Sequence, residues 1–274
     1  MIGRRGGRFA ARDTRQMETT AAGGGNSGRK VILRVKRRAD TREEPRWEEF
    51  ALDWRPHMNV IICLRDIAER PVTRDGRSTT PVSYEANCLE EVCGACAMLI
   101  NGVSRQACST LVDSLEQPIR IEPLTKFPVV RDLIVDRSIM FENLKRMKCW
   151  VPLDGTYDLG PGPRLSSEVQ EKYYPLSRCI TCGNCLEVCP QVNENSDFVG
   201  AAILSQVRLF NAHPTGAMHM KERLAAVMGP GGVADCANAQ NCVEVCPKQI
   251  PLTESIAEVN RQAIRQAILG WLVG

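Results

Sequence analysis

Residues 179–190 read Cys-Ile-Thr-Cys-Gly-Asn-Cys-Leu-Glu-Val-Cys-Pro, and residues 236–247 read Cys-Ala-Asn-Ala-Gln-Asn-Cys-Val-Glu-Val-Cys-Pro. Aligned without gaps, the two agree at seven of twelve positions, so the second repeats the first. The first fits C-x2-C-x2-C-x3-C-P, the cysteine run of bacterial two-cluster ferredoxins. The second has Ala239 where the first has Cys182. In such ferredoxins the first three cysteines of a run hold one cluster and the fourth ligates the other. The rule assigns Cys179, Cys182, Cys185 and Cys246 to a [4Fe–4S] centre. It leaves Cys189, Cys236 and Cys242 for a second centre, whose fourth position is the methyl of Ala239. Three thiolates hold three corners of a cube, so this centre is expected to be [3Fe–4S]. A decayed repeat is the competing reading. Retention of Asn241, Cys242, Glu244, Val245, Cys246 and Pro247 argues against it.

Upstream, Cys88-x4-Cys93-x2-Cys96 is followed by Cys108, which is plant-type [2Fe–2S] spacing. Gly94 is expected to let the loop backbone approach the sulfides. Backbone N–H groups there are expected to bond sulfur and raise the potential. A zinc site or plain buried thiols are the alternatives, but zinc knuckles come as two short cysteine pairs and only one short pair stands here. Cys63, in Val60-Ile-Ile-Cys-Leu64, and Cys149 are expected to be small buried hydrophobes.

The 274 residues are 43% hydrophobic and 24% charged, ordinary for one large or two smaller folded domains. A net charge of +3 gives no case for a nucleic-acid partner. Thirteen cysteines, eleven in dense clusters and none behind a signal peptide, favour metal in a reducing compartment. No window reaches the roughly 18 apolar residues of a membrane span. Residues 1–28 are rich in Gly, Arg and Thr and read as a disordered basic tail. Arg4-Arg5 is followed by no apolar stretch, and Met17 is an alternative start.

Strands are expected at 31–35, 49–54, 97–100 and 119–122, with Asn101-Gly102 as a hairpin turn. Residues 59–70 show helical periodicity ended by Pro71. After Pro128, residues 131–148, 198–211, 217–228 and 252–270 read as helices, with Gly/Pro clusters at 160–163 and 229–232. The fold class is α+β. An N-terminal plant-type ferredoxin (β-grasp) domain at 29–128 precedes a helical, bacterial-ferredoxin-like domain at 129–274.

No nucleotide loop, Ser/His/Asp set or carboxylate pair is present, and His57, His213 and His219 are scattered. Catalytic residues for an organic substrate are therefore expected to be absent. Three unlike centres in one chain read as an electron wire.

This order of motifs, together with Cys93-Gly-Ala-Cys-Ala-Met98, Asn101-Gly102, Trp150-Val-Pro152 and Cys246-Pro-Lys248 followed by Ile250-Pro251, resembles the iron–sulfur subunit of succinate dehydrogenase and fumarate reductase over roughly residues 29–270. The resemblance implies a partner flavoprotein with covalently bound FAD that oxidises succinate. Electrons then pass through [2Fe–2S], [4Fe–4S] and [3Fe–4S] to a quinone beside a membrane-anchor cytochrome b subunit, with or without haem b. It further implies a peripheral position on the cytoplasmic face of a bacterial membrane. Ubiquinone-linked members carry aromatic residues after the first Cys-Pro and a histidine after the first cysteine of the second run. Here Gln191-Val-Asn193 and Ala237 stand in those places. This resembles menaquinone-linked members with a dihaem anchor. Fumarate reduction by the same subunit, and a soluble multi-cluster carrier, remain the alternatives.

Overall fold

A computed structural model describes residues 28–151 and 164–273. The expected basic tail up to residue 27 and the Gly/Pro cluster at 160–163 lie outside these residues.

The first unit is built on a five-stranded sheet. Its strands are β1 (Lys30–Arg37), β2 (Arg46–Asp53), β3 (Ala97–Ile100), β4 (Val103–Gln106) and β5 (Ile119–Glu122), in the order β2-β1-β5-β3-β4. β1 and β5 run parallel and the other neighbours antiparallel. Alternation along β1 sends Val31, Leu33 and Val35 inward. They meet Ile119, Ile121, Met98, Ile100 and the helix α1 (Val60–Glu69) in one apolar core. The β3–β4 hairpin turns at Asn101-Gly102, both with positive φ as a two-residue hairpin turn requires.

Asn59 starts α1 as its N-cap, its Oδ1 accepting from Ile62 N at 2.9 Å. Its Nδ2 donates to the Cys108 carbonyl at 2.9 Å, so one residue ties the helix to the fourth cysteine of the first group. Cys63 is fully buried in this core, and burial pushes its thiol up to about 12. Cys149 is half-buried, its thiol likewise pushed up to about 12.

The helix expected over 131–148 begins only at Ser138. Residues 129–135 instead form a second hairpin, β6 (Val129–Arg131) and β7 (Ile134–Val135), folded back onto the first unit. The cause is a buried ion-pair network. Arg37, 1% exposed, donates to Glu48 Oε2 at 2.7 Å and to Asp132 Oδ1 at 2.9 Å. Asp132 also accepts from the backbone N–H groups of Arg38 and Ser83. The first unit thus reaches past residue 128, because Arg37 needs the carboxylate of Asp132.

Beyond it come α2 (Ser138–Arg146), α3 (Ser167–Ser177), α4 (Asn184–Glu187), α5 (Ala201–Ala212), α6 (Pro214–Ala217), α7 (Met220–Val227), α8 (Asn241–Glu244) and α9 (Leu252–Val273). α5 is the buried spine, with Ile203, Leu204 and Val207 packed against Val259 and Ala263 of α9. α3 was not expected from periodicity; Ser166 caps it.

Candidate electron-transfer centres

The two cysteine runs fold alike. Each enters a one-turn helix, α4 or α8, through a left-handed residue: Gly183 at φ 89° and Gln240 at φ 65°. The repeat seen in sequence is therefore a repeat of backbone path. All thirteen cysteines are free of disulfides.

The first group lies on the loop before β3 and just beyond β4. Leu89, Glu91 and Gly94 adopt positive φ, which turns successive amides toward the cysteines. Cys88 Sγ accepts from the N–H groups of Glu90 (3.4 Å), Val92 (3.2 Å) and Cys93 (3.3 Å). Cys93 Sγ accepts from Ala95 N at 3.5 Å. The Glu90 and Val92 amides hold the Cys88 thiol down at about 7. Cys96 is buried, which pushes it up to about 12, and its neighbour is Cys108. A loop whose amides already point at sulfur suits a cluster of thiolates and sulfides.

The second group lines an enclosed apolar pocket. Cys179, Cys182 and Cys185 come from the first run and Cys246 from the second, with Met140, Ala202, Ile250 and Leu252 around them. Burial raises the Cys185 thiol well above its ordinary value, and the charges of Cys182, Cys179 and Cys246 raise it further. Four thiols so placed become thiolates together only against a compensating metal charge.

The third group, Cys189, Cys236 and Cys242, lines a separate pocket, and Ala239 borders the same space. Burial raises Cys242, with Cys189 and then Cys236 adding to the shift. Gln191 and Ala237 line this pocket too. Among the described residues no three His, Cys, Asp or Glu side chains converge on a point suited to one metal ion. The cysteines of the second and third groups line two neighbouring pockets.

The three groups sit in series. The loop of the first is pressed on the second: a Cβ on Gly94 would lie 2.8 Å from Ile180 O and 2.9 Å from Cys182 Cβ. Gly94 was expected to admit a sulfide; what the structure shows is that its bare Cα admits the neighbouring run. Ser104 Oγ on β4 donates to Asn184 Oδ1 at 3.0 Å. Glu187 accepts from Thr125 N at 2.9 Å, Thr125 Oγ1 at 2.6 Å and Lys126 N at 3.0 Å, which anchors the connection between the units. Spacing pointed to none of Asn59, Ser104, Asn184 and Glu187, because their partners are distant in the chain.

The histidines lie outside both cysteine-lined pockets. His57 is exposed. His213 caps α6 through Nδ1, and His219 pairs with Glu222 at 3.7 Å.

Comparison with known proteins agrees with this arrangement. Residues 31–142 match the family model for a 2Fe-2S iron-sulfur cluster binding domain, and residues 175–250 match a 4Fe-4S dicluster domain. The chain is 58% identical to the succinate dehydrogenase iron-sulfur subunit of Bacillus subtilis, over 88% of this chain and 96% of that one. It is 31% identical to the fumarate reductase iron-sulfur subunit of Wolinella succinogenes, over 81% and 91% respectively. A chain of the Mycobacterium smegmatis Sdh1 complex in the apo form shares the fold, with a TM-score of 0.73 at 24% identity over 86% of this chain and 96% of that one. The chain belongs to the iron–sulfur subunits of succinate dehydrogenase and fumarate reductase.

Proposed function

We propose that this chain relays electrons from an FAD-containing flavoprotein that oxidises succinate to a quinone held at a membrane-anchor cytochrome b subunit. In this reading Cys88, Cys93, Cys96 and Cys108 hold [2Fe–2S]. Cys179, Cys182, Cys185 and Cys246 hold [4Fe–4S], and Cys189, Cys236 and Cys242 hold [3Fe–4S]. The clusters, when bound, accept and release one electron at a time. The chain's own residues fix their spacing, shield them from water and supply N–H donors to the ligand sulfurs.

The observation that carries the reading is the serial packing of the three cysteine groups. Gly94 backs the first onto Cys182, and Cys185 of the second feels the charge of Cys242 in the third. Ala239 beside Cys189, Cys236 and Cys242 supports the three-iron assignment, since a methyl holds no iron. Gln191 and Ala237, in place of aromatic and histidine residues, support menaquinone as acceptor, with haem b in the anchor. Greater likeness to the Bacillus subtilis subunit than to the Wolinella one supports succinate oxidation as the working direction. Among the described residues no helix is long and apolar enough to cross a membrane, which fits a peripheral place on the cytoplasmic face.

Low-temperature electron paramagnetic resonance (EPR) of the isolated complex tests this. The oxidised sample should show a sharp three-iron signal, and succinate should bring up the [2Fe–2S] signal. An oxidised sample without the three-iron signal refutes the assignment of the third centre.

A further inference from the structure

Gln106 closes β4 beside the first cysteine group. Its side chain is 1% exposed, and Oε1 stands 3.4 Å from Cys96 Sγ. Nε2, equally enclosed, meets no acceptor among the described residues. This orientation suits a thiol, which can donate its proton to Oε1. It does not suit a thiolate ligand, which has no proton and would face a carbonyl oxygen. A half-turn of the amide about its last torsion exchanges oxygen and nitrogen and removes both faults at once. The bare amide donor then lies where the oxygen was, at hydrogen-bonding distance from sulfur.

We propose that Gln106 is a positioning residue of the first centre: in the cluster-bearing protein, its side-chain N–H donates to the Cys96 thiolate and raises the centre's reduction potential. The inference rests on the reading of Cys96 as a [2Fe–2S] ligand. Its physical basis is charge. Reduction adds an electron to the cluster, so a fixed donor on a ligand sulfur stabilises the reduced form more than the oxidised one. The donor is fixed because β4 is fixed. Strand alternation puts Ser104 on the same face as Gln106, and Ser104 is bonded to Asn184 of the second unit. Gln106 is thus held where the first unit meets the second, on the route to the next centre.

The test is a potentiometric titration of the isolated complex followed by EPR, comparing the parent with Gln106→Leu and Gln106→Met. Both substitutes fill the site without a donor. The reduction equilibrium of the first centre should shift about tenfold toward the oxidised form, which is 59 mV for a one-electron couple. The other two centres should not move. In the parent protein labelled with 15N at glutamine side chains, pulsed EPR of the reduced first centre should show a weak 15N coupling. Absence of that coupling overturns the proposal without any variant, and so does an unmoved first potential in a fully loaded variant. A parent complex with no [2Fe–2S] signal at all overturns the ligand reading itself, and the role of Gln106 with it.

Discussion

Replacing Gly94 by Ala probes the contact that sets the first centre against the second. The cost has two parts. Gly94 has φ +76°, a left-handed conformation that costs an L-residue roughly 1–2 kcal/mol. The added methyl would also stand 2.8 Å from Ile180 O and 2.9 Å from Cys182 Cβ, both on the tightly held first run. Forcing one methyl into such a packed site costs about 1–3 kcal/mol. Gly76 separates the two parts, since it has φ +83° and nothing within 4 Å of the point where a Cβ would stand. Gly76→Ala should therefore show the conformational part alone. For a chain of this size 1 kcal/mol moves the melting temperature by about 2–4 °C. Gly94→Ala should lower Tm by roughly 10 °C and Gly76→Ala by roughly 4 °C, measured on the isolated complex at one scan rate. The same Gly94 variant should slow reduction of the second centre after rapid mixing with succinate, whereas Gly76→Ala should not. Equal melting losses for the two variants, with equal reduction rates, would refute the claim that this close approach couples the units.

Three further substitutions test the ligand sets and the first unit's frame. Ala239→Cys should complete a fourth thiolate in the pocket of the third group, replacing the three-iron EPR signal by that of a four-iron centre at lower potential; an unchanged three-iron signal counts against the assignment. Cys246→Ala should damage the [4Fe–4S] centre although Cys246 belongs to the second run, and loss confined to the three-iron signal would show that the runs do not exchange ligands. Asp132→Ala should remove one carboxylate from the buried Arg37 network and destabilise the protein by about 3–5 kcal/mol, read as a large drop in Tm. A loss below about 1 kcal/mol, the scale of an exposed pair, would mean that Arg37 is satisfied by Glu48 and the Thr80 and Pro81 oxygens alone.

Cluster spacing is a local property of the chain, and the sequence was informative wherever chemistry depended on local spacing. Four cysteines at plant-type intervals, and two runs differing at Ala239, are enough to propose the ligand sets. The alternation along 49–54, the helix that opens near residue 59 and the Asn101-Gly102 turn are equally local, and the structure has them where expected. Exchange of fourth ligands between runs could be inferred because a general rule of two-cluster ferredoxins supplied the missing geometry.

The rest depended on groups far apart in the chain. Residues 131–135 were expected to open a helix, yet they pair in a hairpin whose Asp132 meets the charge of Arg37, 95 residues earlier. Helix α3 has weak amphipathicity and an internal Pro175, so no period betrays it. Gly94 is legible as a loop glycine, but that it faces the Ile180 carbonyl is a fact of docking. Gln106 is an ordinary strand-end residue in sequence; only burial beside Cys96, with no acceptor for its amide among the described residues, singles it out. The sequence alone determined which cysteines are available for clusters and the ligand sets proposed for them, since number and spacing are written in order along it. The tertiary structure alone decided how those centres are set in series and which buried donors face them, since both depend on contacts between segments that the chain keeps far apart.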